Sequence, residues 1–161
     1  MRAATEDDLL AIAAVAESTG PAEEWSGTDP AYVRHLLAHG QVLVAERQAT
    51  GGQDTVVTGF GATRRMGDGP DAITMLCDLF VDPGSHGRGT GQALLAALWE
   101  PGSPRMTFSS LHAHALPVYT RAGLDAWWPL LYLGGDVGAL PRAPGWTVAA
   151  ASPEELSLIH I

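Results

Sequence analysis

Leu9, Ile12, Ala13 and Ala16 recur at three- and four-residue intervals behind Thr5, which predicts one amphipathic helix from Asp7 to Glu17, opened by a capping box of Thr5 with Asp8. Gly20-Pro21 ends it. Asp29 as N-cap with Pro30 at the first helical position starts a second helix, Tyr32 to His39, and Gly40 stands where a C-terminal cap is wanted. The pattern then changes to β-branched runs. Gln41 to Glu46 and Thr55 to Arg64 read as a hairpin joined through Ala49 to Gln53, and Ala72 to Val81 as the next strand after the turn cluster Gly67-Asp68-Gly69-Pro70. A helix from Gly89 to Trp99 turns Leu94, Leu95 and Leu98 toward a core. Met106 to Ser110 is a short strand, Ala113 to Ala122 a helix ended by Gly123, and Ala126 to Leu133 a strand interrupted near Pro129. The order β-α-α-β-β-β-α-β-α-β predicts a mixed α/β domain with a crossover helix on each side of a central parallel pair. No internal repeat interrupts it.

With 161 residues, 46% of them hydrophobic and 17% charged, the chain supplies one core of ordinary size. A net charge of −9 with nine cationic side chains argues against nucleic-acid binding and favours a cationic small substrate such as an amine. All nine cations are Arg, the signature of a GC-rich genome. The single Cys77 excludes an internal disulfide and any multi-cysteine metal site. The start has no apolar signal core, and no stretch approaches eighteen apolar residues. The expectation is a cytoplasmic protein, with no membrane partner.

The chemistry concentrates where the strand ending in Val81-Asp82-Pro83 passes through Gly87-Arg88-Gly89-Thr90-Gly91 into a helix. Unpaired N–H groups at a helix N-terminus form an anion site, and alternating glycines let a ligand approach the main chain. Arg88 adds positive charge. The dinucleotide fingerprint fails because its last glycine would be Gln92, and the Walker A loop fails for want of a Lys. The competing reading is a tight strand-to-helix turn.

The stretch Asp78 to Pro83, followed by His86-Gly87-Arg88-Gly89-Thr90-Gly91-Gln92, resembles the acetyl-CoA motif of GNAT N-acetyltransferases, Arg/Gln-x-x-Gly-x-Gly/Ala, with His86 at the place of Arg or Gln. His112-x-x-Ala115-x-x-x-Tyr119-x-x-Ala122-Gly123-Leu124 is similar to the family's Asn-x-x-Ala-x-x-x-Tyr-x-x-x-Gly-Phe helix, and Arg2-x-Ala4-Thr5-x-x-Asp8 looks like its first strand and helix. The resemblance covers about residues 72 to 124. It implies a GNAT fold: a mixed central sheet of six to seven strands with a splayed parallel pair, flanked by four helices. It also implies acetyl-CoA as co-substrate, without a metal. The pantetheine arm would lie along Leu79, Phe80 and Val81, with the pyrophosphate on amides of residues 87 to 92.

The resemblance puts Tyr119 at the position of the family's thiolate-protonating Tyr; the other reading is an aromatic packing residue. Asp78 alternates with Cys77 and Leu79, which sends it to the other sheet face, toward an acceptor, as base or amine anchor. Its alternative is a solvated carboxylate or a partner for Arg64 or Arg65. His112 either positions the cofactor arm or caps the following helix. His112 and His114 lack further metal ligands. Trp25 and Trp127-Trp128 are either acceptor-pocket walls or core.

Residues 1–133 are expected to form the acetyl-CoA-binding domain, and 134–145 a Gly/Pro linker. Residues 146–155, with a capping Ser152 three before Glu155, parallel Met1 to Leu9 and read as the start of a truncated second GNAT domain. Tandem GNAT proteins of GC-rich bacteria have this layout. The ending 156–161, Leu-Ser-Leu-Ile-His-Ile, matches one reading frame of a transposon-end sequencing adapter and reads as an artificial terminus. The function expected is N-acetyl transfer to a small-molecule amine. The alternative is a non-catalytic acetyl-CoA-binding module supporting a partner domain.

Overall fold

The computed structural model describes residues 1–19, 29–49, 55–109 and 115–127. All of them fall in one compact unit, Met1–Pro129. The elements are β1 (Arg2–Ala3), α1 (Leu9–Glu17), α2 (Pro30–His39), β2 (Gln41–Gln48), β3 (Thr55–Met66), β4 (Ile73–Val81), α3 (Thr90–Leu98), β5 (Arg105–Thr107) and α4 (Ala115–Arg121). The five strands lie side by side in sequence order, antiparallel except for the parallel β4–β5 pair. The linker and the start of a second domain expected beyond residue 133 lie outside the described residues.

Alternation along β2 shows how the two layers form. Val42 and Val44 pack with Ile12, Val15 and Ala16 of α1, Val33 and Leu36 of α2, and Phe60 and Ala62 of β3, while Leu43 between them packs on the other face. That second face carries Leu95 and Leu98 of α3 with Leu76 and Trp99, bordered by Val118 and Tyr119 of α4 and by Ala122 just after it. Helices therefore cover both faces of one sheet, which buries both sets of apolar side chains.

The local signals act through identifiable contacts. Asp8 accepts the Thr5 N–H at 2.8 Å and closes the capping box, but residues Glu6–Asp8 form a 3₁₀ turn, so the helix itself begins at Leu9 rather than Asp7. Arg2 then clamps three elements together, with Nη1 and Nη2 each 2.8 Å from an Asp8 oxygen and Nη2 also 2.8 Å from Glu46 Oε1 on β2. The Asp29 carboxylate accepts the Ala31 N–H at 2.8 Å, as an N-cap before Pro30 should. Gly40 ends α2 for a different reason from the one expected: its backbone is extended, and a Cβ there would run into the Thr63 carbonyl.

Two sequence expectations change. The sheet has five strands among the described residues instead of six to seven, because Ala126 and Trp127 make no strand pairing and the rest of Ala126 to Leu133 lies outside them. The strand expected at Met106 to Ser110 is Arg105–Thr107, since pairing with β4 covers only Thr74↔Arg105, Met75↔Met106 and Leu76↔Thr107 before the strands part.

Candidate active site

The glycine loop is built by chain geometry before any ligand is considered. Asp82 accepts the Gly84 N–H at 3.1 Å, and Pro83–Ser85 makes a single turn that reverses the chain at the end of β4. Gly87 and Gly89 then take left-handed φ values of +73° and +80°, with nothing within 4 Å of a Cβ at either, so conformation and not crowding requires glycine there. The loop delivers α3 with its N-terminus, and hence its unpaired N–H groups, at the end of β4. Gly91 lies in the first turn of α3, where a Cβ would be 3.7 Å from Val81 Cγ2.

Two further glycines set the depth of α3, and the sequence reading passed over them. A Cβ on Gly59 of β3 would stand 2.9 Å from the Phe80 carbonyl oxygen and 3.4 Å from Thr90 Cγ2, and one on Gly61 would be 2.6 Å from Leu98 Cδ1. The signal was available: Gly59-Phe60-Gly61 inside a strand marks a close approach.

Beside this loop the parallel strands come apart. Leu76↔Thr107 is the last β4–β5 pair, and Thr107 Oγ1 donates to the Leu76 carbonyl at 3.1 Å. Just beyond it, Thr63 of β3 faces Leu76 and Ala62 faces Asp78, so Cys77 is a bulge with no residue opposite. Before the bulge the even-numbered residues face β5, as the Thr74 N–H bond to Pro104 shows. After it the parity reverses. Asp82 N–H donates to Thr58 O at 2.9 Å, which makes Val81↔Gly59 and Leu79↔Gly61 the pairs whose main-chain groups point away from β3. Leu79 and Val81 thus turn N–H and C=O toward the opened side. Phe80 points its own main chain into the β3 ladder and stacks its ring on Phe60 at 5.5 Å. His86 reaches back to the Val81 carbonyl, with Nε2 at 2.7 Å.

The same bulge redirects Asp78. Simple alternation placed it opposite Cys77, but Cys77 packs on the α1/α2 layer and Asp78, only 6% exposed, accepts the hydroxyl of Tyr32 of α2 at 2.7 Å. Both therefore turn to that layer, while Leu76 and Leu79 turn to α3 and α4. Nor is Asp78 a solvated carboxylate. Arg65 is engaged elsewhere, donating to the Gly69 carbonyl. Burial first, then the Asp78 charge, pushes the Tyr32 hydroxyl far above its ordinary range. The Cys77 thiol is also raised, by burial and then by Asp78.

Tyr119 approaches from α4 and packs against the cluster of Leu76, Leu95, Leu98 and Trp99. Burial raises its hydroxyl above the ordinary value, a hydrogen bond with the Thr107 side chain lowers it in part, and the Asp78 charge raises it again. Tyr119, Thr107 and Asp78 are thus gathered where β4 and β5 separate. Gln92 borders a groove of about 540 Å³ between α3 and α4, together with Val118 and Arg121. Arg88, Gly89 and Thr90 border a pocket of about 310 Å³ with Arg47. His112 and Trp25 lie outside the described residues. Trp127 is 89% exposed and Phe108 58% exposed. Among the described residues no three His, Cys, Asp or Glu side chains are grouped to hold a metal ion, and no helix is long and apolar enough to cross a membrane.

Solved structures share this architecture. An acetyltransferase from Trypanosoma brucei superposes with a TM-score of 0.63 at 24% identity, over 83% of this chain and 96% of that one. AAC(6')-Iy in complex with the bisubstrate analogue CoA-S-monomethyl-acetylneamine gives 0.61 at 18% identity, over 84% and 96%. A predicted acetyltransferase with acetyl-CoA from Clostridium acetobutylicum gives 0.61 at 16% identity, over 83% and 94%. At these identities the likeness is one of fold. Comparison with curated protein sequences gives no significant match. The family model described as an acetyltransferase (GNAT) domain matches residues 38–123, more than half of the chain and the whole span from the end of α2 through α4. The chain belongs to the GNAT acetyltransferase family.

Proposed function

We propose that this chain transfers an acetyl group from acetyl-CoA directly to the amine of a small molecule. The observation that carries the reading is the opened β4–β5 pair, with Leu79 and Val81 turning main-chain groups into the gap at the foot of the α3 N-terminus. An extended pantetheine arm with two amides fits such an edge as an added strand does. The N-terminal amides of α3 and Arg88 would hold the pyrophosphate, with Gln92 in the first turn of the same helix. The complexes of related fold with acetyl-CoA and with a CoA–aminoglycoside analogue support donor and acceptor classes of this kind.

The chemistry divides between two side chains. A neutral amine would attack the thioester carbonyl, and Asp78 would anchor the incoming ammonium or take its proton. Main-chain N–H groups of β4 would stabilise the oxyanion. Tyr119, kept protonated by its burial, would return a proton to the departing thiolate sulfur. Purified protein should bind acetyl-CoA by calorimetry and acetylate at least one member of an amine library, read by mass spectrometry as a 42 Da gain, about the mass of an acetyl group replacing hydrogen. Binding without transfer to any amine would make the chain a cofactor-binding module; absence of both would overturn the assignment.

A further inference from the structure

Tyr32 and Asp78 are 46 residues apart, and their hydrogen bond depends on two separate features of the fold. The Asp29 cap and Pro30 fix where α2 begins, and Val33 and Leu36 bury that helix against the sheet, which sets the position of Tyr32 beside Val33. The bulge at Cys77 brings Asp78 round to meet it. A strand with regular alternation would have kept Cys77 and Asp78 on opposite faces.

The direction of the bond is fixed by chemistry. An ionised carboxylate only accepts, so Tyr32 donates its hydroxyl proton to Oδ2 over 2.7 Å. A donor bond of this length to a buried carboxylate favours the ionised form and holds one rotamer. The raised pKa of Tyr32 keeps the donor protonated throughout the working range.

We infer that Tyr32 is a positioning residue for acetyl transfer, holding Asp78 ionised and oriented on the acceptor side of the cleft. The inference rests on the reading of Asp78 as base or amine anchor. It makes α2 a working part of the site. Among the described residues, titratable groups that bear on the same place include Cys77 on β4 and Tyr119 on α4, both raised by burial and further by the Asp78 charge, and Arg64 on β3, whose charge reaches Cys77.

Tyr32→Phe keeps the ring that packs on the α1/α2 layer and removes only the donor. Loss of the bond should raise the Asp78 pKa, moving the acidic limb of the acceptor kcat/KM profile upward in pH while the KM for acetyl-CoA stays constant. A readout independent of turnover is the ¹³C-carboxylate NMR titration of Asp78 in both proteins, which should show the same upward shift. An unfolding curve for Tyr32→Phe checks that the fold is retained; should it fail, Tyr32→Leu, which is apolar and likewise has no donor, replaces it in the NMR titration. If Asp78→Asn retains full turnover, the parent reading falls and the role of Tyr32 in transfer falls with it. If Asp78→Asn loses turnover while Tyr32→Phe leaves both the carboxylate titration and the acidic limb unmoved, the parent reading stands and the inference about Tyr32 alone is overturned.

Discussion

His86 Nε2 stands 2.7 Å from the carbonyl oxygen of Val81, so the residue at the Arg/Gln position of the cofactor motif is tied to the last residue of β4. A carbonyl only accepts, which places the proton on Nε2. The bond spans the Asp82–Ser85 turn and fixes the loop against the strand. His86→Ala should lower unfolding stability by about 1 kcal/mol and weaken acetyl-CoA binding by about tenfold or less. His86→Gln, which retains an N–H donor, should recover most of both. Urea unfolding and calorimetry on the two variants check this, and equal affinity in all three proteins would remove His86 from the loop's function.

The glycines of the loop should separate by experiment according to what each does. Gly87 and Gly89 are left-handed, and Ala at either forces a Cβ into a conformation that L residues disfavour by roughly 1–2 kcal/mol. Gly91 carries no such strain and sits in helix, so Gly91→Ala should leave stability unchanged or raise it by about 0.5–1 kcal/mol. Gly91→Val places a branched side chain in the loop proposed to receive the pyrophosphate. It should abolish acetyl-CoA binding in a protein that still melts like the parent, whereas Gly89→Ala should lower the melting temperature as well. Unchanged calorimetric affinity in Gly91→Val would show that the pyrophosphate lies elsewhere.

Acid should act on the N-terminal clamp. The Arg2 hydrogen bonds hold the Asp8 carboxyl down at about 2, against an ordinary 3.8, with the Thr5 N–H and hydroxyl contributing in the same sense and burial opposing. The folded state therefore binds this proton less readily than the unfolded chain, and the stabilisation is whole above about pH 5 and lost as pH falls through about 2. The shift alone corresponds to about 2 kcal/mol, and solvent at the half-exposed Arg2 reduces this to about 1 kcal/mol. Asp8→Asn should cost about that much at pH 7 and progressively less toward pH 2, measured by urea unfolding at several pH values. A penalty independent of pH would assign the loss to packing instead of charge.

What was legible in the sequence was what depends on near neighbours. Thr5 with Asp8, Asp29 with Pro30, and the Gly87–Gly91 loop each announce themselves within five residues, because caps and turns satisfy adjacent backbone groups. The bulge at Cys77 is a property of pairing between β3 and β4 and leaves no mark on β4 alone, so alternation put Asp78 on the wrong side of Cys77. The Tyr32–Asp78 bond was hidden for the same reason, being created by α2 packing across 46 residues. Gly40 does cap α2, as its N–H bond to the Leu36 carbonyl shows, but the reason only glycine fits is the Thr63 carbonyl on β3, which leaves no room for a Cβ. Long-range contact, not local propensity, decided each of these.

Tyr119 offers the most direct test of catalysis. Its hydroxyl lies with Thr107 where β4 and β5 part, and burial keeps the proton on it at neutral pH and past its ordinary value of 10.0. A group proposed to donate to a thiolate has to be protonated in the working enzyme, and burial shifts Tyr119 in that direction. Turnover should therefore rise with pH as the bound amine becomes neutral, without an early fall from loss of the acid. Tyr119→Phe leaves the ring against the apolar cluster under α3 and α4 and removes only the hydroxyl, so the fold should persist with a stability change within about 1 kcal/mol. Acetyl-CoA affinity should stay close to the parent's, because in the proposed role the hydroxyl would act when charge develops on sulfur and not in the ground state. Turnover should fall on the order of 100-fold. An acetyl thioester of a more acidic thiol needs less help in leaving, so the variant should lose much less activity with it than with acetyl-CoA. Equal losses on both donors, or a tighter thiol dependence in the parent than in the variant, would show that Tyr119 packs the cleft without protonating the leaving group.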